Sequence, residues 1–311
     1  MKKILITGGL GNLGSWLTEH FASNGYEVWV LCKNFRKIAT KVKYHLLNCD
    51  IAVYEEIKEK LTGLEFEYVI HAGSVNDGFV ENYFKLAIEV NTLGTRNLLE
   101  FFKDKPLKNF IYFSTFQVYG KYEGTITENT PILPVNDYGA THLFAEYYVK
   151  QFSYSHKLPH TIIRLTNSYG CPKDYNSSKW YLVLNDLAKS AFEKKEIVLK
   201  SNGLAPRDFI WMGDVCFVIQ SLIEKEATND TYNLSGEKTY KMIDIANYVK
   251  EAYQAKFDKE IPITTNQNDK TVYPTDLHVS ATKLKNVVPY ITQQYFKEEA
   301  GKIFEFLGKK K

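Results

Sequence analysis

The sequence predicts an α/β protein with a doubly wound parallel sheet and a smaller mixed α/β lobe. Short apolar segments alternate with helical patterns through the first half of the chain, and a glycine-rich turn directly follows the first apolar segment. After about Asn167 this alternation becomes irregular. The 311 residues are enough to bury a large core, and 44% hydrophobic with 24% charged residues is typical of a globular protein rather than a disordered or membrane chain.

Parallel strands joined by crossover helices explain the alternation. Between the first two apolar segments, Leu13, Leu17 and Phe21 recur at helical spacing, and Gly25 stands where this helix would end. The spacing therefore predicts a compact βαβ unit at the start of the chain. The predicted strands cover residues 3–7, 27–32, 44–49, 66–71, 109–115 and 161–165, and the longer helices cover residues 80–102, 138–155 and 180–193.

The chain is predicted to divide into two discontinuous units. Residues 1–166 form the sheet, and residues 209–235 return to it through another amphipathic helix that begins near Trp211. Residues 167–208 and 236–311 form the smaller lobe, which is expected to shape a substrate site.

Charge and cysteine usage exclude several classes of function. The net charge is only +3, and the lysine-rich end at 308–311 is typical of a solvated terminus, so we predict no nucleic-acid partner. No apolar segment is long enough for a membrane span or a targeting sequence. The four cysteines are Cys32, Cys49, Cys171 and Cys216. They lack the paired spacing of zinc sites, which predicts reduced thiols in a cytoplasmic protein and no metal site.

A glycine-rich loop between the first strand and the first helix predicts a dinucleotide cofactor. Gly8, Gly11 and Gly14 have the spacing and the strand-to-helix context of a Rossmann-type fold. Glycines allow the tight turn and the close approach of backbone N–H groups to a pyrophosphate, which also meets the positive end of the helix dipole. Asn12 and Leu13 belong to the same predicted cofactor site, and a glycine turn without ligand is the alternative.

The residues after the second strand leave the choice between NAD and NADP open. The acidic residue that would hold the ribose hydroxyls is replaced by Cys32, and Lys33 and Arg36 follow it. These cations could face a 2′-phosphate, or they could simply be solvated. Asn34 belongs to the same predicted site.

The residues after the third strand are predicted to reach the adenine. Asp50 and Ile51 stand where an adenine would lie in such a sheet. Asp50 is equally well explained as the N-cap of the next helix.

Several motifs together resemble the extended short-chain dehydrogenase/reductase family, which comprises nucleotide-sugar epimerases, dehydratases and dehydrogenases. The resemblance covers nearly the whole chain and implies a nucleotide-diphosphate sugar as substrate. The similar segments are Thr7 to Gly14, Asn91 to Thr95, Phe113 to Gly120, Tyr138 to His142, Arg164 to Asn167 and Arg207 to Phe209.

The resemblance implies the catalytic residues. Tyr138 matches the tyrosine that removes a proton from a sugar hydroxyl, and Thr115 matches the hydroxyl that holds the same oxygen. The family's usual lysine four residues after the tyrosine is replaced by His142, which on a helix would share its face. Imidazole is mostly neutral above pH ~7, so we expect slower turnover or a more alkaline optimum than in relatives with lysine. The alternative is a packing histidine in a cofactor-loaded protein without turnover.

The resemblance also implies binding residues for both ligands. Asn167 and Arg207 match positions that contact the nucleotide diphosphate of the substrate, although Arg207 could instead form an ion pair with Asp208. Thr115 is a substrate contact as well as a catalytic residue. The remaining implied cofactor contacts are Ala72, Gly73, Asn91, Ser114, Tyr138, His142 and Leu165.

The residues after Thr115 separate the possible reactions. Phe116 and Gln117 stand where the family's dehydratases carry carboxylates, and an amide cannot act as general acid or base for elimination. The sequence looks most like the GDP-heptose 4-dehydrogenases of capsule heptose biosynthesis, which implies oxidation of the sugar C4 hydroxyl with NAD. A C4 epimerase is the alternative. A homodimer that pairs the helices over 80–102 and 138–155 is also implied.

Overall fold

The computed structural model describes residues 1–76 and 83–309. The strands are β1 (Lys3–Thr7), β2 (Glu27–Cys32), β3 (His45–Asn48), β4 (Tyr68–His71), β5 (Asn109–Thr115), β6 (Thr125–Ile126), β7 (His160–Leu165), β8 (Asn167–Tyr169), β9 (Ile197–Leu199), β10 (Pro206–Trp211), β11 (Asp230–Leu234), β12 (Thr239–Lys241), β13 (Ile263–Thr265) and β14 (His278–Val279). The α-helices are α1 (Asn12–Ser23), α2 (Tyr54–Leu61), α3 (Tyr83–Ala87), α4 (Thr95–Phe102), α5 (Asp137–His156), α6 (Val183–Lys194), α7 (Met212–Glu224), α8 (Met242–Phe257), α9 (Thr282–Val287) and α10 (Phe296–Gly308).

A seven-stranded parallel sheet forms the centre of the molecule, in the order β11-β7-β5-β4-β1-β2-β3. The chain runs outward from β1 through β2 to β3, and then returns to place β4, β5, β7 and β11 on the other side. This reversal leaves a crevice at the carboxyl ends of β1 and β4, where ligands of such sheets bind. The predicted fold class is confirmed, and β11 is a seventh strand that the sequence did not predict.

Both faces of the sheet are covered, which explains why the strands are continuous apolar segments. Within β1, Ile4 and Ile6 point into one core, which also contains side chains from α1 and α7. Leu5 points into the opposite core, together with side chains from α2, α4 and α5. The alternation of side chains along a strand produces this division.

The helix predicted over 80–102 differs from the structure. Its first three residues lie outside the described residues, and the rest is interrupted by a π-helical segment, Ile88–Gly94, between α3 and α4. The helix predicted over 138–155 is α5, which Asn136 caps by accepting the backbone N–H of Gly139 at 2.8 Å. Within residues 1–76 and 83–309, no helix combines the length and apolar character needed to span a membrane.

The smaller lobe has its own sheets and its own core. The strands β12, β10 and β8 form one sheet, and β13 pairs with β9 in another. Helices α6, α8 and α10 pack together around Phe296, which stacks on Tyr169 and Tyr248. One segment assigned to this lobe by the sequence lies elsewhere, because Ala281, Leu284 and the residues near them pack into the core of the large sheet.

A buried ion pair connects α5 to the sheet. Glu146 on α5 is fully buried and accepts Nε–H and NH2 hydrogen bonds from Arg164 on β7, at 3.0 and 2.7 Å. Ser114 on β5 donates to the same carboxylate at 2.6 Å. Arg164 also donates to the hydroxyl oxygen of Tyr119, which in turn donates to Asn233 on β11. One network therefore joins α5 to three strands.

Removing the cation from this network should strongly destabilise the fold. Replacing Arg164 by Leu leaves Glu146 as a buried charge without its partner, which costs about 3–5 kcal/mol of unfolding free energy. Urea unfolding of Arg164→Leu measures the loss, and the double variant Arg164→Leu/Glu146→Leu should regain most of it.

The exposed neighbour of the same carboxylate provides the control. Lys150 lies 3.7 Å from Glu146 but is largely exposed, so Lys150→Ala should cost less than about 1 kcal/mol. Equal losses in Arg164→Leu and Lys150→Ala would contradict the prediction.

Candidate active site

A cleft of about 1410 Å³ lies at the carboxyl ends of the central strands, between the large sheet and the smaller lobe. The glycine loop, the residues after β4 and the end of β5 form one wall. The first turn of α5 lies beside the end of β5, and the end of β8 and the start of β10 line the side of the smaller lobe. The topology of the sheet therefore assembles residues that are far apart in the sequence.

The glycine loop fits a dinucleotide. Gly8 has a φ of +66°, and a Cβ there would lie 2.6 Å from Cα of Gly73. A Cβ on Gly14 would lie 2.1 Å from the carbonyl oxygen of Gly8. Helix α1 begins at Asn12 without a side-chain cap, so its first N–H groups can receive an anion. Oδ1 of Asn12 is buried without a hydrogen-bond partner, which suits a polar ligand.

The adenine end of the cleft contains an ion pair between Lys33 and Asp50, at 2.6 Å. The hydrogen bond from Lys33 to this carboxylate raises the pKa of the lysine. Asp50 is not a helix N-cap, because α2 begins only at Tyr54, and its Oδ1 accepts the N–H of Ala52. Asn34, Ile51 and Leu13 line the same cleft.

The second cation near this end, Arg36, also faces a carboxylate. It lies 3.8 Å from Asp174. Since both Lys33 and Arg36 have acidic neighbours in this chain, a 2′-phosphate would have to compete with them. The local charges therefore favour NAD over NADP.

The structure corrects the prediction that Asn91 contacts the cofactor, because Asn91 does not line the cleft. It is buried in the π-helical segment, where Oδ1 accepts the N–H of Val75 at 2.7 Å and Nδ2 donates to the Val75 carbonyl at 3.0 Å. Nδ2 also donates to Thr141 on α5 at 3.1 Å. These contacts occupy its amide, so Asn91 positions the loop after β4 rather than contacting the cofactor. Ala72 and Gly73 of that loop do line the cleft, as do Ser114 and Leu165.

Tyr138 and Thr115 meet in the cleft as the sequence predicts. Tyr138 lies in the first turn of α5 and Thr115 ends β5. Burial raises the pKa of Tyr138 to about 12, and the nearby Tyr83 acts in the same direction. Hydrogen bonding from the hydroxyls of Thr115 and Ser74 lowers that pKa. Ser74 was missed by sequence reasoning, because only the tertiary fold brings the loop after β4 to α5.

His142 lies one helical turn after Tyr138, and their ring centroids are 4.5 Å apart. It is buried and lines the cleft, so it is not a surface histidine. Burial lowers the pKa of His142 to about 4, against the opposing effects of the Glu146 charge and the Phe113 carbonyl. The imidazole is therefore neutral near pH 7 and supplies no positive charge to Tyr138.

The substrate end of the cleft contains Arg207 and Asn167. Arg207 is exposed to the cleft and makes no ion pair with the residues that the structure describes. Asp208 is instead buried and accepts hydrogen bonds from Thr166 at 2.6 Å and from the N–H of Gly236 at 2.8 Å. The alternative of an Arg207–Asp208 ion pair is therefore wrong. Nδ2 of Asn167 donates to the Asp208 carbonyl at 2.8 Å.

Among the residues that line the cleft, one contact joins the loop after β4 to the smaller lobe. Tyr181 donates to Oδ1 of Asn76 at 2.8 Å, and Lys179 donates to the same oxygen. Of the aromatic residues near this region, Tyr169 and Tyr175 are packing residues that stack on Phe296 and Phe306. Asn76 and Lys179 were not predicted from the sequence.

The sequence profile of the NAD dependent epimerase/dehydratase family matches residues 4–235. The chain belongs to this family. Its relatives include a dTDP-D-glucose 4,6-dehydratase of Dictyostelium discoideum, 29% identical in an alignment of 281 positions that covers 80% of this chain and 62% of that enzyme. An uncharacterised UDP-glucose epimerase of Bacillus subtilis is 23% identical in an alignment of 308 positions that covers 93% of this chain and 92% of that protein.

Solved structures of similar proteins have the same fold as this chain. A UDP-glucuronic acid 4-epimerase from Bacillus cereus, in complex with UDP-glucuronic acid and NAD, has a TM-score of 0.82 at 19% identity and covers 99% of this chain and 100% of that chain. A dTDP-glucose 4,6-dehydratase from Bacillus anthracis in complex with NAD has a TM-score of 0.79 at 21% identity, with 99% and 97% covered. Family membership confirms the predicted family, the enzyme class and NAD as the cofactor.

The ion pair between Lys33 and Asp50, at the predicted adenine end of the cleft, makes the cofactor preference of this chain testable. Asp50→Asn keeps an oxygen for the N–H of Ala52 but removes the carboxylate that holds Lys33. Lys33 can then bind a 2′-phosphate, so the ratio of the Kd for NADP to the Kd for NAD should fall about tenfold. Isothermal titration calorimetry with both dinucleotides measures it.

The control adds a second change to this variant. Lys33→Ala in the Asp50→Asn background should restore the original ratio, because the released cation is gone. An unchanged ratio in Asp50→Asn would contradict the role of the ion pair.

Proposed function

We propose that the protein is an NAD-dependent dehydrogenase that oxidises the C4 hydroxyl of a nucleotide-linked sugar to a 4-keto sugar. The observation that carries this proposal is the Tyr138 hydroxyl beside the hydroxyls of Thr115 and Ser74, with no carboxylate at Phe116 or Gln117. GDP-heptose is the proposed substrate, on the strength of the sequence resemblance, and surface polysaccharide biosynthesis is the proposed context.

Tyr138 is the proposed base that takes the proton of the sugar hydroxyl. The nicotinamide of NAD, when bound, supplies the acceptor for the hydride from the same carbon. Thr115 is suited to hold the sugar oxygen, because its hydroxyl lies beside that of Tyr138 and its position is fixed by the N–H of Gln117, which donates to Oγ at 3.2 Å. Ser74 supplies a second hydroxyl at the same point.

The substrate is proposed to enter with its diphosphate toward the smaller lobe. Arg207 offers a guanidinium without an intramolecular carboxylate partner among the described residues, and guanidinium binds phosphate oxygens in a bidentate manner. Asn167 lies in the same wall, on the strand next to that of Arg207. These contacts would leave the sugar near Tyr138.

The residues after Thr115 favour oxidation or epimerisation over elimination. Phe116 packs into a small apolar cluster, and Oε1 of Gln117 accepts a hydrogen bond from Asn136 at 2.9 Å. Of the described residues that line the cleft, the carboxylates are Asp50 at the adenine end and Asp137, which begins α5. A carboxylate at that position stabilises the helix N-terminus.

A C4 epimerase is the second candidate. It is supported by the relatives named as UDP-glucose epimerases and by a cleft of about 1410 Å³, in which a keto sugar could turn before it is reduced again. A cofactor-loaded protein without turnover is the third candidate, because His142 replaces the usual lysine. The slower or more alkaline turnover expected from His142 stays a prediction.

One experiment separates these candidates. The purified protein is incubated with GDP-, UDP-, CDP- and dTDP-linked sugars including GDP-heptose, while the absorbance of reduced cofactor is followed and products are identified by NMR. A 4-keto sugar with an equal amount of reduced cofactor is expected. An inverted C4 carbinol without net reduction would identify an epimerase, and the absence of product with every sugar would favour the binding protein.

Tyr138→Phe is the matching variant, and removal of the base should lower kcat by about 10²–10⁴-fold. Tyr154→Phe provides a control, because Tyr154 lies on the same helix but is 83% exposed. Full activity in Tyr138→Phe would contradict the proposed base.

We also propose that two copies associate through the outer face of α5 and the helical segment before it. Phe144 and Tyr147 on α5 are 53% and 56% exposed, and Phe84 and Leu93 on the adjacent segment are also exposed. Apolar side chains one helical turn apart are typical of a helix–helix interface.

Light scattering should therefore give about twice the chain mass of 35.9 kDa. The double variant Phe144→Glu/Tyr147→Glu should give the mass of one chain, because two charges would be buried in the interface. Phe217→Glu is the control, since Phe217 is equally exposed but lies on α7. A monomeric wild-type protein would overturn the dimer.

A further inference from the structure

A buried tyrosine, Tyr112, contacts the histidine of the candidate active site. Tyr112 lies on β5 and points to the side of the sheet that α5 covers. Its hydroxyl oxygen is 2.7 Å from Nδ1 of His142, and both side chains are 2% exposed. The contact is therefore buried on both sides.

The contact determines which ring nitrogen carries the proton. Burial raises the pKa of Tyr112 well above its usual value, with smaller contributions from Glu146 and Tyr138, so the phenol keeps its proton. Nδ1 of His142 is the hydrogen-bond partner of that hydroxyl among the described residues. A buried O–H without an acceptor is destabilising, so the phenol donates to Nδ1 and the ring proton lies on Nε2.

The Phe113 carbonyl is the competing acceptor near the ring. Placing the proton on Nδ1 to satisfy it would leave the Tyr112 hydroxyl without an acceptor. Phe113 belongs to β5, which is paired with β4 and β7. With the proton on Nε2, the donor left without an acceptor is Nε2–H, which belongs to a residue that lines the cleft, whereas Tyr112 does not line it.

Nε2 of His142 is buried and has no hydrogen-bond partner, in a residue that lines the cleft. The charged and titratable groups around it are Glu146 on α5, Arg164 on β7, Tyr112, Tyr138 and His71 on β4. Glu146 is already paired with Arg164, so it does not demand a second cation. The ring therefore stays neutral and presents an N–H donor that lacks an acceptor.

We propose that Tyr112 is a positioning residue that fixes His142 as an uncharged Nε2–H donor for the cofactor contact that the family resemblance implies at this position. The inference rests on the proposed cofactor and catalytic roles of this cleft. Its consequence is that the cofactor is held without a permanent positive charge beside Tyr138. The same hydrogen bond is available from weakly acidic to alkaline pH.

The state of the histidine can be measured without cofactor, substrate or activity. Long-range proton–nitrogen NMR correlations of the protein with isotope-labelled histidine report which ring nitrogen is protonated, and His142→Ala assigns the signal. The wild-type ring is expected to be protonated on Nε2 alone near pH 7. A ring protonated on Nδ1, or on both nitrogens, would overturn the proposal.

Tyr112→Phe tests the positioning role. Loss of the phenol should move the ring proton to Nδ1, which can then donate to the Phe113 carbonyl, and should raise the Kd for NAD about tenfold in calorimetry. Adding Tyr112→Phe to His142→Ala should raise the Kd no further, because the two residues act through one contact. An unchanged proton position in Tyr112→Phe would overturn the inference.

Tyr68→Phe is the matched control for a buried hydroxyl. Tyr68 lies on the neighbouring strand β4, and its hydroxyl is buried without a hydrogen-bond partner. Its loss should change neither the histidine signal nor the Kd.

Failure of the proposed dehydrogenase reaction can be distinguished from failure of the inference on Tyr112. A protein that turns over no sugar, but shows the expected proton position and the shift in Kd, would refute the dehydrogenase and leave this inference standing.

Discussion

The position of α5 against the sheet is the constraint on which the candidate site depends. This helix carries Tyr138 and His142, and its inner face is held by the bidentate contact between Glu146 and Arg164. Ser114 donates to the same carboxylate and precedes Thr115, so the network also fixes the end of β5. Buried charges tolerate no displacement without loss of their partners. The hydroxyls of Tyr138 and Thr115, which are the proposed catalytic groups, are therefore positioned by an ion pair outside the proposed chemistry.

The charges around Tyr138 are unusual for a phenol that is proposed to act as a base. A tyrosine becomes a useful base when a nearby positive charge stabilises its anion. Here the neighbouring His142 is neutral, because burial lowers its pKa to about 4, and the buried cation Arg164 is paired with Glu146. Neither of these two residues therefore supplies a positive charge that would stabilise the anion of Tyr138. Burial of this face of α5 therefore sets the charge of His142, and with it the electrostatic surroundings of Tyr138.

At the cofactor end of the cleft, carboxylates that are distant in the sequence change the interpretation of two cations, Lys33 and Arg36. Lys33 and Arg36 follow β2 and, considered in sequence, could equally hold a phosphate or face solvent. In the fold they meet Asp50 and Asp174, which come from the next strand connection and from the other lobe. The interpretation of Asn91 changes in a similar way, because its side-chain amide is hydrogen-bonded to the loop after β4. Neither outcome follows from periodicity or spacing.

The sequence by itself determined the parallel sheet and the glycine loop, and its resemblance to the family implied the pairing of Thr115 with Tyr138. The first two features depend on local rules, namely side-chain alternation and the space available at Gly8 and Gly14. Only the tertiary structure decided that Ser74 joins Tyr138, that Lys33 is paired and that Tyr112 reaches His142. These contacts join residues that are distant in the chain, and their charge and proton positions depend on burial, which a linear pattern does not contain.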